Sequence, residues 1–141
     1  MSGTLVDTNV LLDLFTDDPV WADWSQNALE VAASRGAIYI NPVIYSEVSS
    51  GFDRIGWLES SLNGCGLRLP NLPKEALFLA GKVFHRYRAR SGHRRWPLPD
   101  FYIGAHAAVA GRKLLTRDRG RFRADFPTLQ LIIPPEGPTM E

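Results

Sequence analysis

Short runs of apolar residues, each closed by a polar or turn-forming residue, recur along the chain and predict buried β-strands. Four such runs occupy residues 3–6, 38–40, 113–116 and 129–133. A run at residues 67–69 makes a weaker strand, because Pro70 and Pro73 interrupt it. The runs are short and lie far apart in the chain, so longer segments must connect them.

The connecting segments place apolar residues at helical spacing and predict helices. The predicted helices cover residues 9–15, 19–35, 43–50, 54–62, 74–90 and 100–110. Asp18 and Gly36 supply the cap and the stop of the second helix. Its predicted buried face is Trp21, Trp24, Ala28 and Val31. The predicted buried stripe of the helix over residues 74–90 is Leu77, Ala80, Phe84 and Tyr87. Residues 63–66 and 91–99 are expected to be a turn and a loop.

Strands that alternate with helices are typical of an α/β fold. We expect a three-layer sandwich, in which helices flank a central, mostly parallel sheet. Residues 1–133 are predicted to form a single domain, in agreement with the length of 141 residues. Residues 134–141 contain three prolines and are expected to be a flexible tail.

Composition excludes several classes of protein. The chain is 45% hydrophobic and 22% charged, which is typical of a globular domain. Its single Cys65 excludes an internal disulfide framework and a cysteine-based zinc site. No apolar run is long enough to cross a membrane, and no secretory signal pattern is present. We therefore expect a cytoplasmic protein that does not associate with membranes.

Charge is distributed unevenly along the chain. Residues 1–60 carry nine acids and two bases, whereas residues 85–123 carry eleven bases, ten of them Arg, and only two acids. Such an Arg-rich segment is a plausible electrostatic surface for a polyanion, or else a solvated face. Within it, Arg94, Arg95 and Trp96 combine cations with an aromatic ring just before Asp100. These three residues are candidates for binding RNA, with a surface loop as the alternative.

Four acids occupy the ends or beginnings of predicted elements. Asp7 and Asp118 directly follow predicted strands, Glu47 lies on the helix after the second strand, and Asp100 opens a helix. Each has an ordinary local role: Asp7 and Asp100 suit helix caps, Asp118 suits a turn, and Glu47 suits an exposed helix face. Local roles do not explain why all four would meet at one edge of the sheet, where α/β domains bind ligands.

If the four acids converge, their chemistry selects a metal ion. Carboxylates that lie close together repel, so some must take up protons unless cations neutralise them. Oxygen ligands without Cys or a His cluster suit Mg²⁺ or Mn²⁺. Such ions activate water and stabilise a phosphodiester transition state. The sequence therefore points to hydrolysis of a nucleic-acid backbone.

The motifs around these acids resemble those of a known family. In chain order they are Leu-Val-Asp-Thr-Asn-Val-Leu-Leu, Ser-Glu-Val, Pro-Asp-Phe-Tyr-Ile-Gly-Ala-His-Ala and Leu-Leu-Thr-Arg-Asp-Arg-Gly-Arg-Phe. Together they resemble a PIN-domain nuclease, and among these the VapC toxins of bacterial toxin–antitoxin pairs. The resemblance extends from residue 5 to residue 133.

The resemblance implies a PIN-like fold and a metal-dependent endoribonuclease that a small cognate antitoxin protein holds inactive. It assigns the catalytic and metal-binding positions to Asp7, Glu47, Asp100 and Asp118. Asn9 and Thr116 match positions that support these acids. Asp118 is the weakest match, since the neighbouring Arg117 and Arg119 could instead form an ion pair with it.

Two functions remain open at this point. The first is a Mg²⁺- or Mn²⁺-dependent ribonuclease toxin whose partners are RNA, the antitoxin and a second copy of the chain. The alternative is a non-catalytic PIN-like module that binds RNA or protein. Retention of all four acids favours the enzyme.

Overall fold

In this computed structural model, residues 3–91 and 98–135 are described. Within them, four strands form one parallel sheet of order β2-β1-β3-β4. The strands are β1 (Thr4–Val6), β2 (Ile38–Tyr39), β3 (Lys113–Leu115) and β4 (Leu131–Ile132). Central β1 pairs with β2 on one side and with β3 on the other, Thr4 lying opposite both Ile38 and Lys113. The predicted parallel sheet is confirmed.

Seven helices in the described residues flank this sheet. They are α1 (Thr8–Phe15), α2 (Ala22–Arg35), α3 (Pro42–Ser49), α4 (Ile55–Cys65), α5 (Lys74–Ser91), α6 (Leu98–Ala110) and α7 (Arg121–Asp125). The predicted α/β class is thereby confirmed. No helix among the described residues is long and apolar enough to span a bilayer.

The sheet is buried on both faces, as its continuous apolar strands predict. Leu5, Val6, Leu114 and Leu115 are fully buried. Beside the sheet, the Phe101 ring of α6 contacts Phe84 and Tyr87 of α5, at centroid distances of 5.2 and 5.3 Å. Phe126, just after α7, packs on the same ring from 6.4 Å. This aromatic cluster fixes α6 between α5 and α7.

Some predicted element boundaries are wrong. Helix α2 begins at Ala22, because the Asp18 carboxylate accepts hydrogen bonds from the backbone N–H groups of Val20 and Trp21 and holds a turn there. Residues 63–65 form the last turn of α4, which Gly66 ends at a φ of 75°. Residues 67–69 make only a single bridge to Tyr39. Helix α7 was not predicted.

Two predicted buried faces are also partly wrong. The buried residues of α2 are Ser25, Leu29 and Ala32, whereas Val31 is exposed. On α5, Ala80 and Tyr87 are buried as predicted, but Leu77 is exposed. A buried polar contact determines the face of α2, since the Ser25 hydroxyl donates to Asp13 Oδ2 at 2.7 Å.

Asp13 belongs to a buried ion pair that joins α1 to the residues after β3. Arg117 donates through Nε and Nη2 to the two Asp13 carboxylate oxygens, at 2.7 and 2.9 Å. The Arg117 guanidinium also lies over the Trp21 ring, 5.1 Å from its centroid. Such two-pronged pairs combine charge with fixed geometry. Arg117 is thus committed to Asp13, and the alternative that it pairs with Asp118 is wrong.

Gly104 permits close packing between α6 and the end of α7. A Cβ atom at this position would lie 2.5 Å from the Phe126 ring. We expect Gly104→Ala to lower the free energy of unfolding by about 1–3 kcal/mol, because the Phe126 ring must shift. Urea-induced unfolding measures this loss.

Gly81→Ala on α5 is the matched control, since a Cβ atom there meets nothing within 4 Å. This change should raise the free energy of unfolding by about 0.5–1 kcal/mol, because Ala favours a helix over Gly. Equal effects of the two substitutions would contradict the packing described here.

Candidate active site

Asp7 and Thr116 lie side by side because β1 and β3 are adjacent and parallel. The Asp7 backbone N–H donates to the Leu115 carbonyl at 2.9 Å, which extends the ladder one residue beyond the end of β1. The Thr116 hydroxyl donates to Asp7 Oδ2 at 2.7 Å. The other oxygen, Oδ1, accepts from the Thr8 backbone N–H at 2.7 Å. Asp7 therefore caps α1 and also faces the carboxyl edge of the sheet.

Asn9 and Thr116 form a polar network behind Asp7. The Thr116 hydroxyl accepts from Asn9 Nδ2 at 3.4 Å and from the Asp118 backbone N–H at 3.1 Å. Asn9 Oδ1 accepts from the Arg117 backbone N–H at 3.2 Å. The network leaves the Thr116 hydroxyl hydrogen directed at Asp7.

Glu47 is held against Asp7 through a residue that the sequence analysis missed. The Thr8 hydroxyl donates to Glu47 Oε1 at 2.5 Å, while the Thr8 backbone N–H donates to Asp7 Oδ1. Thr8 therefore holds two carboxylates at once. Its place directly after Asp7 was the only signal in the sequence.

Helix α3, which carries Glu47, is tied to α6, which carries Asp100. Asn41 caps α3 by accepting from the Ile44 backbone N–H at 2.9 Å, and Pro42 follows at the first helical position. The Asn41 amide also lies 3.1 Å from Nδ1 of the buried His106 on α6. Burial lowers the pKa of His106, with a further contribution from Arg112. The Asn41 atom that faces the ring is the amide nitrogen, which donates, so Nδ1 accepts.

Asp100 lies in the first turn of α6 and pairs with an arginine. Arg121 Nη1, at the start of α7, donates to Asp100 Oδ2. Burial raises the pKa of Asp100, and the charges of Glu47 and Asp118 add to this, whereas Arg121 opposes it.

Asp118 stabilises a turn, which is the local role that its sequence context suggests. Its Oδ1 accepts from the backbone N–H groups of Gly120 and Arg121, at 3.0 and 2.9 Å. Its Oδ2 lies 3.3 Å from Arg121 Nε. The ion-pair partner of Asp118 is therefore Arg121, two positions beyond the Arg119 considered from the sequence.

The four acids share one electrostatic environment, and we call them the acidic cluster: Asp7, Glu47, Asp100 and Asp118. The pKa of Asp7 is raised to about 6, mainly by burial and also by the charges of Asp100 and Glu47, while the hydrogen bonds from Thr116 and Thr8 oppose this shift. Charges act on one another in this way only across short distances in a poorly solvated pocket. The four acids therefore influence one another's charge, and their assignment as catalytic and metal-binding residues stays a prediction.

The acidic cluster has the donor chemistry for a hard divalent cation, namely carboxylate oxygens whose mutual repulsion a cation relieves. However, no group of three or more His, Cys, Asp or Glu side chains in residues 3–91 and 98–135 is arranged to hold an ion. That Asp7, Glu47 and Asp100 lie within reach of one divalent ion stays a prediction. In the metal-free protein Arg121 contacts Asp100 and Asp118, while Thr8 and Thr116 donate to Glu47 and Asp7.

Arg94, Arg95 and Trp96, predicted to bind RNA, lie outside the described residues. They connect α5 to α6 in the chain and directly precede the helix of Asp100. The prediction for these residues stands untested.

A parallel α/β domain with clustered carboxylates at the carboxyl edge of its sheet is the class of protein that the fold and the site define. The family model for the PIN domain matches residues 4–127. The chain belongs to the PIN-domain family. A comparison with curated proteins finds no match.

Solved structures share this fold at low sequence identity. A chain of VapBC2 from Rickettsia felis, bound to a promoter DNA fragment, has a TM-score of 0.73 and 19% identity over 92% of this chain and 97% of that one. A chain of DNA-bound VapBC from Salmonella typhimurium has a TM-score of 0.69 and 19% identity, over 94% and 98%. VapC20 from Mycobacterium tuberculosis, a toxin that cleaves the sarcin–ricin loop, has a TM-score of 0.58 and 13% identity, over 88% and 95%.

The raised pKa of Asp7 predicts a pH-dependent effect of Asp7→Asn on the metal-free protein. A shift from 3.8 to about 6 means that ionised Asp7 lowers the free energy of unfolding by roughly 3 kcal/mol. Asn removes this cost, but it lacks one of the two carboxylate acceptors. The lost hydrogen bond lowers the free energy of unfolding by about 1 kcal/mol. We expect the variant to be more stable by about 1–2 kcal/mol at about pH 7.5.

The sign follows from the folded-state pKa, which lies above the unfolded value. The cost of ionised Asp7 is complete above about pH 6 and disappears as the pH falls below about 4, so the advantage of Asn must vanish over that window. Urea unfolding in EDTA across the range measures it, with the exposed Asp23→Asn as a control that should show no such trend. A variant that is no more stable than wild type at any pH would refute the assignment.

Proposed function

We propose that this protein is an endoribonuclease that hydrolyses RNA phosphodiester bonds with Mg²⁺ or Mn²⁺, and that it is the toxin of a toxin–antitoxin pair. The observation that carries the proposal is the acidic cluster, in which burial and neighbouring charges raise the pKa of Asp7 to about 6. A domain gains no stability from crowding ionised carboxylates, so their juxtaposition in a PIN domain indicates chemistry.

Asp7, Glu47 and Asp100 would hold the ion, with Asp118 assisting. A bound Mg²⁺ or Mn²⁺ supplies an activated water and stabilises negative charge on the scissile phosphate. The protein's part is to orient the ligands: Thr116 directs Asp7, and Thr8 directs Glu47. Asp100 lies in the first turn of α6, where the helix dipole favours its charged form.

RNA would reach the acidic cluster along the basic part of the chain. Residues 85–123 carry ten of the arginines and include Asp100 and Asp118. Positive potential around the cluster would attract phosphates that the carboxylates alone would repel. We assign direct RNA contacts to Arg94, Arg95 and Trp96, with Trp96 stacking on a base.

A small antitoxin protein is the proposed regulatory partner. Support comes from the solved structures with this fold, which include VapBC from Salmonella typhimurium and a toxin–antitoxin complex from Klebsiella pneumoniae. We also propose a homodimer, and action on RNA in the cytoplasm.

A non-catalytic PIN-like module is the second candidate. It is favoured by the engagement of Asp100 and Asp118 with Arg121 and by the lack of a ready three-acid metal group in the described residues. Such a module would bind RNA or protein without cleaving it, so a cleavage assay separates the two functions.

Asp7→Asn and Asp100→Asn should each reduce RNA cleavage at least about 100-fold, because each removes a charged metal ligand and keeps the side-chain shape. Cleavage of structured RNA with Mn²⁺ or Mg²⁺ is the measurement, and EDTA should abolish the wild-type reaction. Asp23→Asn is the matched control, since this exposed residue lies on α2 and its replacement should leave the rate unchanged.

Expression of the wild-type chain should also arrest growth of a bacterial host, and either active-site variant should relieve the arrest. Wild-type rates in both variants would disprove the site assignment. Absence of cleavage by folded wild-type protein with metal, together with normal growth, would favour the non-catalytic module.

Arg94→Ala combined with Arg95→Ala should weaken RNA binding and flatten its dependence on salt. Each lost phosphate contact lowers the slope of log affinity against log salt by about 0.7 for single-stranded RNA. Binding is measured in an Asp7→Asn background over a salt series. Lys74→Ala with Lys82→Ala removes the same charge outside the basic segment and should change the slope less. Equal slopes for the two double variants would place the RNA path elsewhere.

A further inference from the structure

Arg121 inserts a positive charge into the acidic cluster. Its guanidinium donates to Asp100 Oδ2 through Nη1, and Nε lies 3.3 Å from Asp118 Oδ2. The Arg121 side chain is two-thirds buried, and that of Asp100 is 16% exposed. Ion pairs at this depth are screened far less than pairs on the open surface.

The position of Arg121 is determined by its own helix. Asp118 accepts from the Arg121 backbone N–H at 2.9 Å, so one aspartate holds both the backbone and the side chain. At the other end of α7, Phe126 packs against Gly104, one helical turn beyond Asp100 on α6. Both ends of α7 thus keep the guanidinium beside Asp100.

Asp100 consequently has two competing cations. A divalent ion would compete with Arg121 for the Asp100 carboxylate, and a guanidinium beside the cluster repels that ion. The described part of the chain offers no group of three acids ready to hold an ion, which agrees with Arg121 occupying the cluster.

We propose that Arg121 is an internal counter-cation, which neutralises Asp100 and Asp118 in the metal-free protein and releases Asp100 when a divalent ion binds. The inference rests on the proposed metal-dependent function. A purely structural ion pair would instead persist in the metal-bound protein. The released guanidinium would then lie beside the bound ion, where it can approach an RNA phosphate.

The first experiment measures Mn²⁺ binding to the full chain by calorimetry. Arg121→Gln should tighten Mn²⁺ binding about tenfold, because the ion then has no partly buried ion pair to displace. Arg121→Lys should fall between wild type and Gln, because a single ammonium cannot bridge both carboxylates as the guanidinium does. Arg123→Gln removes the same charge from an exposed position on α7 and should change the affinity less than twofold.

The second experiment needs no variant and follows the arginine Nε–Hε NMR signals of wild-type protein during titration with diamagnetic Mg²⁺. The Arg121 signal should shift as the metal site saturates. Arg117 provides the reference within the same molecule, because its buried pair with Asp13 does not involve the acidic cluster. Its signal should stay in place.

Several outcomes decide the matter. Equal Mn²⁺ affinity of wild type and Arg121→Gln, or an Arg121 signal that stays unchanged at saturating Mg²⁺, would overturn the inference and leave the metal-dependent function intact. Equal tightening by Arg121→Gln and Arg123→Gln would reduce the effect to net charge and also overturn it. If neither wild type nor Arg121→Gln binds Mn²⁺, the proposed metal-dependent function fails along with the inference.

Discussion

The hydrogen bond from the Thr116 hydroxyl to Asp7 is the contact on which the rest of the site depends. It joins the carboxyl ends of two adjacent parallel strands and supplies a donor to a carboxylate that is only 5% exposed. A buried acid without such donors would be far more costly. Because Asp7 also caps α1, the same bond orients the helix whose first residue, Thr8, holds Glu47.

Two arginines close together in sequence neutralise buried acids in different ways. Arg117 meets Asp13 through two short contacts, and Asp13 also accepts from Ser25 of α2. Arg121 enters the acidic cluster and contacts the carboxylates of both Asp100 and Asp118. The first pair has the form of a permanent structural element. The second occupies a place where the proposed function requires a divalent cation.

Much of the fold could be predicted because its signals are local. Apolar runs closed by Asp7 or Asn41, and helices stopped by Gly36 or Gly111, follow from burial and backbone preference alone. Local signals also placed the four acids on or beside predicted elements, and parallel pairing of β1 with β3 then brought Asp7 next to Thr116 and Asp118. The face of α2 could not be predicted, since it depends on the contact of Ser25 with Asp13.

Partners of charged side chains were the least predictable feature. Proximity in sequence suggested Arg117 or Arg119 as the partner of Asp118. In three dimensions Arg117 turns to α1, and the α7 turn brings Arg121 to Asp118 instead. Helix α7 has only five residues, and its position depends on the packing of Phe126 against α6. Such choices depend on tertiary packing, which short-range sequence patterns do not encode.

The order of strands in the sheet has a consequence for synthesis of the chain on the ribosome. Thr116 and Asp7 are 109 residues apart, so β1 emerges long before the strand that completes its pairing. Contacts between distant segments form late, because the loop between them must first close. Asp7 and Glu47 are therefore synthesised well before Asp100 and Thr116, and they lack these neighbours until most of the chain has been translated. A nascent chain that stops before β3 carries three of the four acids, Asp7, Glu47 and Asp100, but it lacks the strand that completes the pairing of β1.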